Sequence, residues 1–205
     1  MKSWGETRLM KKTIRNLYIL IVSIAAFPFA IVFIIAGKVA AYVGAYSEIS
    51  ILASKIPFIF GQRVRYFYYK ATLAALGKQV VFKYGSFCQY PSARIGDRVL
   101  FGYYNAIGEI DMGDDVVIGG FVNFISGTTQ HSFEDENLPI GSQKAAGRSM
   151  ITIGSDVWIG SNAVIAASIG SRCVIGAGSV LVKNAENWSI YAGNPAKFIK
   201  QIPGG

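Results

Sequence analysis

Histidine is nearly absent from this 205-residue chain, with His131 standing alone. One imidazole excludes a zinc centre built from three histidines of the same chain. Cysteine is almost as scarce, and Cys88 and Cys173 lie far apart, outside any metal-ligand or disulfide-framework spacing. No metal is therefore expected, and nothing about the thiols demands an oxidising compartment. Acidic residues are few as well, 12 against 20 basic ones, for a formal charge of +8. Such an excess can mark a nucleic-acid partner. Here Lys2, Arg8, Lys11, Lys12 and Arg15 precede a long apolar run, where basic residues meet anionic lipid. No nucleic-acid partner is expected.

Charge is missing altogether from Leu17 to Ala36. About 20 such residues suffice for a helix to cross a hydrocarbon core. Pro28 sits in the middle of that run, removes one helix hydrogen bond and favours a kink or a re-entrant bend. A second apolar stretch runs from Val39 to Phe60, but Glu48 and Lys55 would each be costly at mid-bilayer. The segment that follows mixes Arg63, Arg65 and Lys70 with Tyr66, Phe67, Tyr68 and Tyr69, as an interfacial helix does. Residues 1–78 are thus expected to form a helical region that partners membrane lipids. The competing expectation, a buried helical core, is weakened by the unbroken run from Leu17.

Beyond residue 79 the sequence acquires a period of six. An aliphatic or aromatic residue followed by Gly recurs at Ile95-Gly96, Phe101-Gly102 and Ile107-Gly108, then at Met112-Gly113 and Ile118-Gly119 after a slip of one. It returns at Ile153-Gly154 and Ile159-Gly160, continues at Ile165, slips by two to Ile169-Gly170, and runs through Ile175-Gly176 to Leu181. A triangular solenoid explains such a phase: the aliphatic side chain points to the axis, the small residue tolerates the corner, and three hexapeptides make a coil. Antiparallel sandwich strands have no reason to hold one phase of six for so long. The phase is lost between Ile125 and Ile151, so residues 126–150 form an insertion, and long insertions between regular coils are commonly functional.

The stretch IGSDVWIGSNAVI, followed by IGSRCVIGAGSVLVKNAENWSIYAGNPAKFIK, resembles the C-terminal signature of the hexapeptide-repeat acyltransferases, and the resemblance covers roughly Val80 to Ile202. It implies a mainly β fold, a left-handed parallel β-helix over residues 79–205 with the insertion as active-site loop and a C-terminal tail. The family commonly has a full six-residue step where this chain has only Ala166, Ala167 and Ser168 between Ile165 and Ile169, so one corner is shortened. The nearest resemblance is to sugar and polysaccharide O-acetyltransferases. That implies acetyl-CoA as acyl donor, a sugar or lipid-linked glycan as acceptor, and a homotrimer with active sites between neighbours. N-acetylation of an amino sugar and a non-catalytic membrane scaffold are the alternatives.

The loop sequence ISGTTQHSFEDENLPI resembles the family stretch that carries the catalytic histidine. Neutral imidazole has a pKa suited to taking the proton of an attacking hydroxyl, so His131 is the expected general base. Glu134 or Asp135 would orient it, and Asn123, on the coil before the loop, matches a position that contacts the acceptor. The resemblance implies that Trp158 borders the acetyl-CoA groove. It implies further that Gly160, Ser161, Ala177 and Gly178 present backbone amides, and that Lys183, Lys197 and Lys200 meet phosphates. Because acetyl-CoA is cytosolic, the catalytic domain is expected to face the cytoplasm at a bacterial inner membrane, with residues 17–60 returning the chain to the side where it began.

Overall fold

The computed structural model describes residues 4–126, 134–143 and 147–204. The period of six becomes a solenoid with three faces of short parallel strands. Face A carries Ala75–Leu76, Arg94–Ile95, Ile110–Met112 and Ile151–Ile153. Face B carries Val81–Phe82, Leu100–Phe101, Val117–Ile118, Trp158–Ile159, Val174–Ile175 and Ser189–Ala192, closed by the antiparallel strand Lys197–Gln201. Face C carries Phe87–Cys88, Ala106–Ile107, Asn123–Phe124, Val164–Ile165 and Val180–Leu181. Each circuit of A, B and C is one coil, numbered 1 to 6 from the N-terminal end.

In the two-residue strands the second residue points inward, so Phe82, Phe101, Ile118, Ile159 and Ile175 stack as one buried column behind face B. Burying one such side chain is worth about 1.5–3 kcal/mol. The shortened step at Ile169 keeps the register, because Ile169 bridges both Ile153 below and Ala185 above. The same four-residue step recurs from Leu181 to Ala185, so the corner between faces C and A tightens for two successive coils. Polar corners bind coil to coil: Asp97, Asp114, Ser155, Ser171 and Asn187 each accept a backbone N–H from the preceding coil along the corner between faces A and B.

Before the solenoid, α1 (Trp4–Tyr42) is a single 39-residue helix that runs through Pro28 without a break. The second apolar stretch is shared among the end of α1, α2 (Tyr46–Ser54) and the start of α3 (Phe58–Thr72), the last two helices having 9 and 15 residues. Neither reaches the roughly 20 residues needed to cross a bilayer. Among the described residues, one helix is long and apolar enough to do so, Met10–Tyr42, and only 11% of its most apolar window is buried. It is therefore no buried core helix. Ala26 and Ala30 pack against Val64 of α3, and Phe27 and Phe29 meet Phe67 and Phe60 edge to face at 5.3 and 5.2 Å.

α3 is more than an interfacial helix, because its other face caps coil 1. Tyr69 lies 4.5 Å from Phe82, centroid to centroid. Arg65 is fully buried; its Nη1 donates to the carbonyls of Ala53, Ser54 and Ile56, and its Nε and Nη2 donate to that of Phe82. Those carbonyls include the C-terminal end of α2, where a cation complements the helix dipole. One guanidinium thus ties α2, α3 and the first coil together, and the burial is compensated by five donor contacts.

Candidate active site

The corner joining faces B and C repeats one local geometry in five coils. Its left-handed residue is Gly85, Tyr104, Phe121, Asn162 and Gly178 in turn, at φ +80°, +58°, +60°, +60° and +69°. From coil 2 onward the N–H of that residue donates to the coil before it: Tyr104 to Tyr84 O, Phe121 to Tyr103 O, Asn162 to Gly120 O and Gly178 to Ser161 O, at 3.1, 2.7, 2.9 and 2.8 Å. The corner is a straight stack along the solenoid axis.

Gly160 and Ser161 make this corner in coil 4, and Ala177 and Gly178 make it in coil 5. A Cβ on Gly160 would stand 2.4 Å from Ala177 N, so the close approach of these coils needs glycine there. Ser161 Oγ accepts the N–H of Gly120 at 3.2 Å. Asn123 is exposed on face C of coil 3, pairs with Val164, and donates its N–H to Ala163 O at 3.0 Å, immediately beyond the coil 4 corner. The structure thus gathers Asn123, Gly160, Ser161, Ala177 and Gly178 at one edge.

The insertion leaves the solenoid from the strand that carries Asn123. Its neck is closed by the Ser149 N–H on Ser126 O at 3.0 Å, while Arg148 pairs with Glu109 at 3.6 Å and lies 4.3 Å over Tyr90. Within it, Asp135 N–H donates to Gln143 Oε1 at 3.1 Å and Asp135 Oδ1 accepts the Asn137 N–H at 2.9 Å. Glu134 and Asp135 are exposed. His131 lies outside the described residues.

Of the remaining expected residues, Trp158, Lys183 and Lys200 stand away from that edge. Trp158, 58% exposed, stands on face B three residues before Ser161, which is about 10 Å of extended chain. It borders an open groove of about 500 Å³ shared with Asp115, Asp156, Arg172 and Trp188. Lys200 pairs with Ile190, three strand steps from Trp158 and so about 14 Å along the sheet. Lys197, on the same last strand, pairs with Ala192, which stacks on Gly176 next to Ala177, so it lies at the coil 6 end of the stacked corner. Lys183 is exposed at the next corner, after face C of coil 5.

The groove's charges pair with one another. Arg172 Nε donates to Asp156 Oδ2 at 2.7 Å, and its guanidinium lies 4.4 Å over the Trp188 ring. Arg98 donates through Nε and Nη2 to the two Asp115 oxygens at 2.6 and 2.7 Å. That bidentate hydrogen bond holds the Asp115 carboxyl below its ordinary range and the Arg98 guanidinium above its own. Burial pushes the Cys88 thiol well above its usual range, which makes it a poor nucleophile. Among the described residues no group of three His, Cys, Asp or Glu side chains is arranged to hold a metal.

Sequence reasoning missed Arg172, Trp188 and the aromatic pair Tyr104 and Phe121. Their signal is in the repeat phase, since GYYN, GGFV, GSNA and GAGS align coil by coil and put aromatics where later coils have Asn and Gly.

Residues 150–183 match the family described as the hexapeptide repeat of succinyl-transferase. Among curated proteins, a probable macrolide acetyltransferase of Lysinibacillus sphaericus is 36% identical over 52% of this chain and 62% of its own length. The chain thus spans less than two thirds of that relative. A maltose O-acetyltransferase of Clostridium difficile superposes with a TM-score of 0.63 at 24% identity, covering 77% of this chain and 84% of the other. A hexapeptide-repeat acetyltransferase of Vibrio cholerae, solved with acetyl coenzyme A, gives a TM-score of 0.65 at 24% identity over 76% and 85% of the two chains. The six-residue phase, the three-faced coils and the hexapeptide repeat matched over residues 150–183 thus occur on one chain that is similar to these acetyltransferases.

Proposed function

We propose that this protein is an acetyl-CoA-dependent O-acetyltransferase that acetylates a sugar hydroxyl at the bacterial inner membrane, in surface-polysaccharide or lipid-linked glycan modification. The observation that carries the reading is the stacked corner of coils 3 to 5, where Asn123 lies beside Ser161 and Gly178 and the loop bearing His131 leaves the same strand. Acetyl-CoA extends along this corner, its acetyl group near Gly160 and Ser161, whose turn supplies a backbone N–H to the developing oxyanion. Trp158 borders the cofactor, and Lys183, Lys197 and Lys200 meet its phosphates. The acceptor hydroxyl attacks the thioester carbonyl while His131 takes its proton, the new ester C–O bond forms, and the C–S bond breaks with CoA leaving as the thiol. Glu134 orients the imidazole and Asn123 holds the acceptor. No step calls for a metal.

Residues 79–205 form the catalytic unit, which works as a homotrimer, and residues 1–78 the membrane unit. In this reading the catalytic domain faces the cytoplasm because acetyl-CoA is a cytosolic cofactor; α2 and α3 are too short to cross back, so α1 enters the membrane without crossing it. The test is acetyl transfer by the full chain in phosphatidylcholine nanodiscs, with the product read by mass spectrometry. An acetyl ester on a sugar oxygen is expected. An amide on an amino sugar, or no product with any saccharide, would sink the reading.

A further inference from the structure

The corner between faces B and C does not end at the candidate transfer site. It continues toward the helical cap as a run of exposed aromatic rings. Phe121 stacks on Tyr104 at 5.2 Å and 14°, and Tyr104 meets Tyr84 edge to face at 5.6 Å. Tyr104 is 43% exposed and Phe121 55%. The seat is built for the ring: a Cβ on Gly85 would lie 2.3 Å from Tyr104 Cδ1.

Two cations attend the rings. Lys55 Nζ stands 5.5 Å from the Tyr104 centroid and 5.9 Å from that of Tyr84, and Lys83 Nζ stands 5.7 Å from that of Tyr103. Lys55 closes α2, and three residues later Phe58 is 83% exposed at the start of α3. One continuous edge therefore runs from exposed apolar helix, through a lysine, across stacked rings, to Asn123 and Ser161. At the other corner the large left-handed residues are engaged differently: Arg98 and Arg172 are paired with aspartates, and Trp188 lies against Arg172.

We propose that Tyr104 and Phe121, with Lys55, form an acceptor track for a glycosyl phosphate whose phosphate is esterified to a membrane lipid. The C–H faces of a sugar ring complement the electron-rich faces of aromatic rings. The Lys55 ammonium is a point charge suited to phosphate, and the apolar cap receives the lipid chain. The order of these features matches the order of the ligand's parts, tail to phosphate to sugar, and it delivers the sugar to the transfer corner. This inference rests on the sugar acceptor proposed above.

The test is equilibrium binding to the full chain in phosphatidylcholine nanodiscs, without acetyl-CoA, so that failure of binding is distinguishable from failure of acetyl transfer. The probes are farnesyl-phosphoglucose, farnesyl phosphate and glucose 1-phosphate; stacking tolerates hydroxyl configuration, so a glucosyl probe suffices. Farnesyl-phosphoglucose is expected to bind at least tenfold more tightly than either fragment. Tyr104→Asn with Phe121→Asn uses the residue that coil 4 already carries at this left-handed position, so the fold and melting temperature are retained. Binding should fall by roughly tenfold in that double variant, and by a similar factor in Lys55→Gln. Unchanged binding in the variants, equal binding of glucose 1-phosphate, or no binding of the intact probe each overturns the proposal. So does a change in oligomeric mass in the double variant, which would make the rings a subunit contact.

Discussion

Replacing Gly160 with alanine drives a methyl group between coils 4 and 5. The new Cβ would meet Ala177 N at 2.4 Å and Ala177 Cα at 2.7 Å, both backbone atoms held by the coil's own ladder, including the Gly160 N–H on Ile175 O at 2.8 Å. Neither neighbour can rotate away, so the coils must separate. Overpacking of this kind costs about 1–3 kcal/mol, and at roughly 2–4 °C per kcal/mol for a chain of this size the melting temperature should fall by about 2–12 °C. Gly178→Ala, on the next coil, is the matched control: nothing lies within 4 Å of its added Cβ, and its only penalty is the left-handed φ of +69°. That conformation costs an alanine about 1 kcal/mol. The assay is thermal unfolding followed by far-UV circular dichroism, paired with acetyl-CoA titration. Gly160→Ala should lose more stability than Gly178→Ala and bind acetyl-CoA more weakly, because the wedge opens the corner proposed to hold it. A Gly160→Ala protein melting with the native chain would refute the close packing of these coils.

Neutralising Lys183 and Lys200 together should weaken acetyl-CoA binding in calorimetric titration while leaving the fold intact, and unchanged affinity would remove both from the phosphate site. Light scattering of detergent-solubilised protein should give a trimer's mass; a fully active monomer would contradict the proposed assembly. Arg98→Met should let the Asp115 carboxyl titrate nearer its ordinary value, read by NMR of the carboxyl carbon. Because the folded-state pKa is lowered, the pair stabilises the fold at neutral pH and that contribution fades as pH falls through the carboxylate range. The variant should therefore lose this pair's share of the acid-side slope, a small one for an exposed pair. Cysteine-accessibility labelling in membrane vesicles should find a reporter at the C-terminus on the same side as the N-terminus, and opposite sides would overturn the topology.

Much of the solenoid was legible because its physics is one-dimensional. Each coil repeats the same inward and outward choices, so Ile118, Ile159 and Ile175 declare their burial by phase alone. The tightened corner is different: Ile169 reads as a slip in sequence, while its bridges to Ile153 and Ala185 keep it in line. Arg65 was misread for a related reason. Beside tyrosines it resembles an interfacial cation, yet its partners are carbonyls of Ala53, Ser54, Ile56 and Phe82, brought together only when α2 and α3 fold onto coil 1. No local pattern encodes that convergence. At the candidate site the sequence picks out Ser161, Ala177, Gly178 and Asn123, which the stacked corner gathers, but it does not reveal that Trp158, Lys183 and Lys200 stand apart from it.

Acceptor-dependent thiol release from acetyl-CoA, comparing the native chain with His131→Ala in nanodiscs supplied with a lipid-linked sugar, tests the central claim most directly. The native protein should release CoA only with acceptor present, with a rising limb in its pH profile near the imidazole pKa of about 6–7. His131→Ala should bind acetyl-CoA with native affinity and turn over roughly 10²–10⁴-fold more slowly. A variant that retains native turnover, or a native chain whose thiol release ignores the acceptor, would contradict an acyltransferase working through this loop and corner.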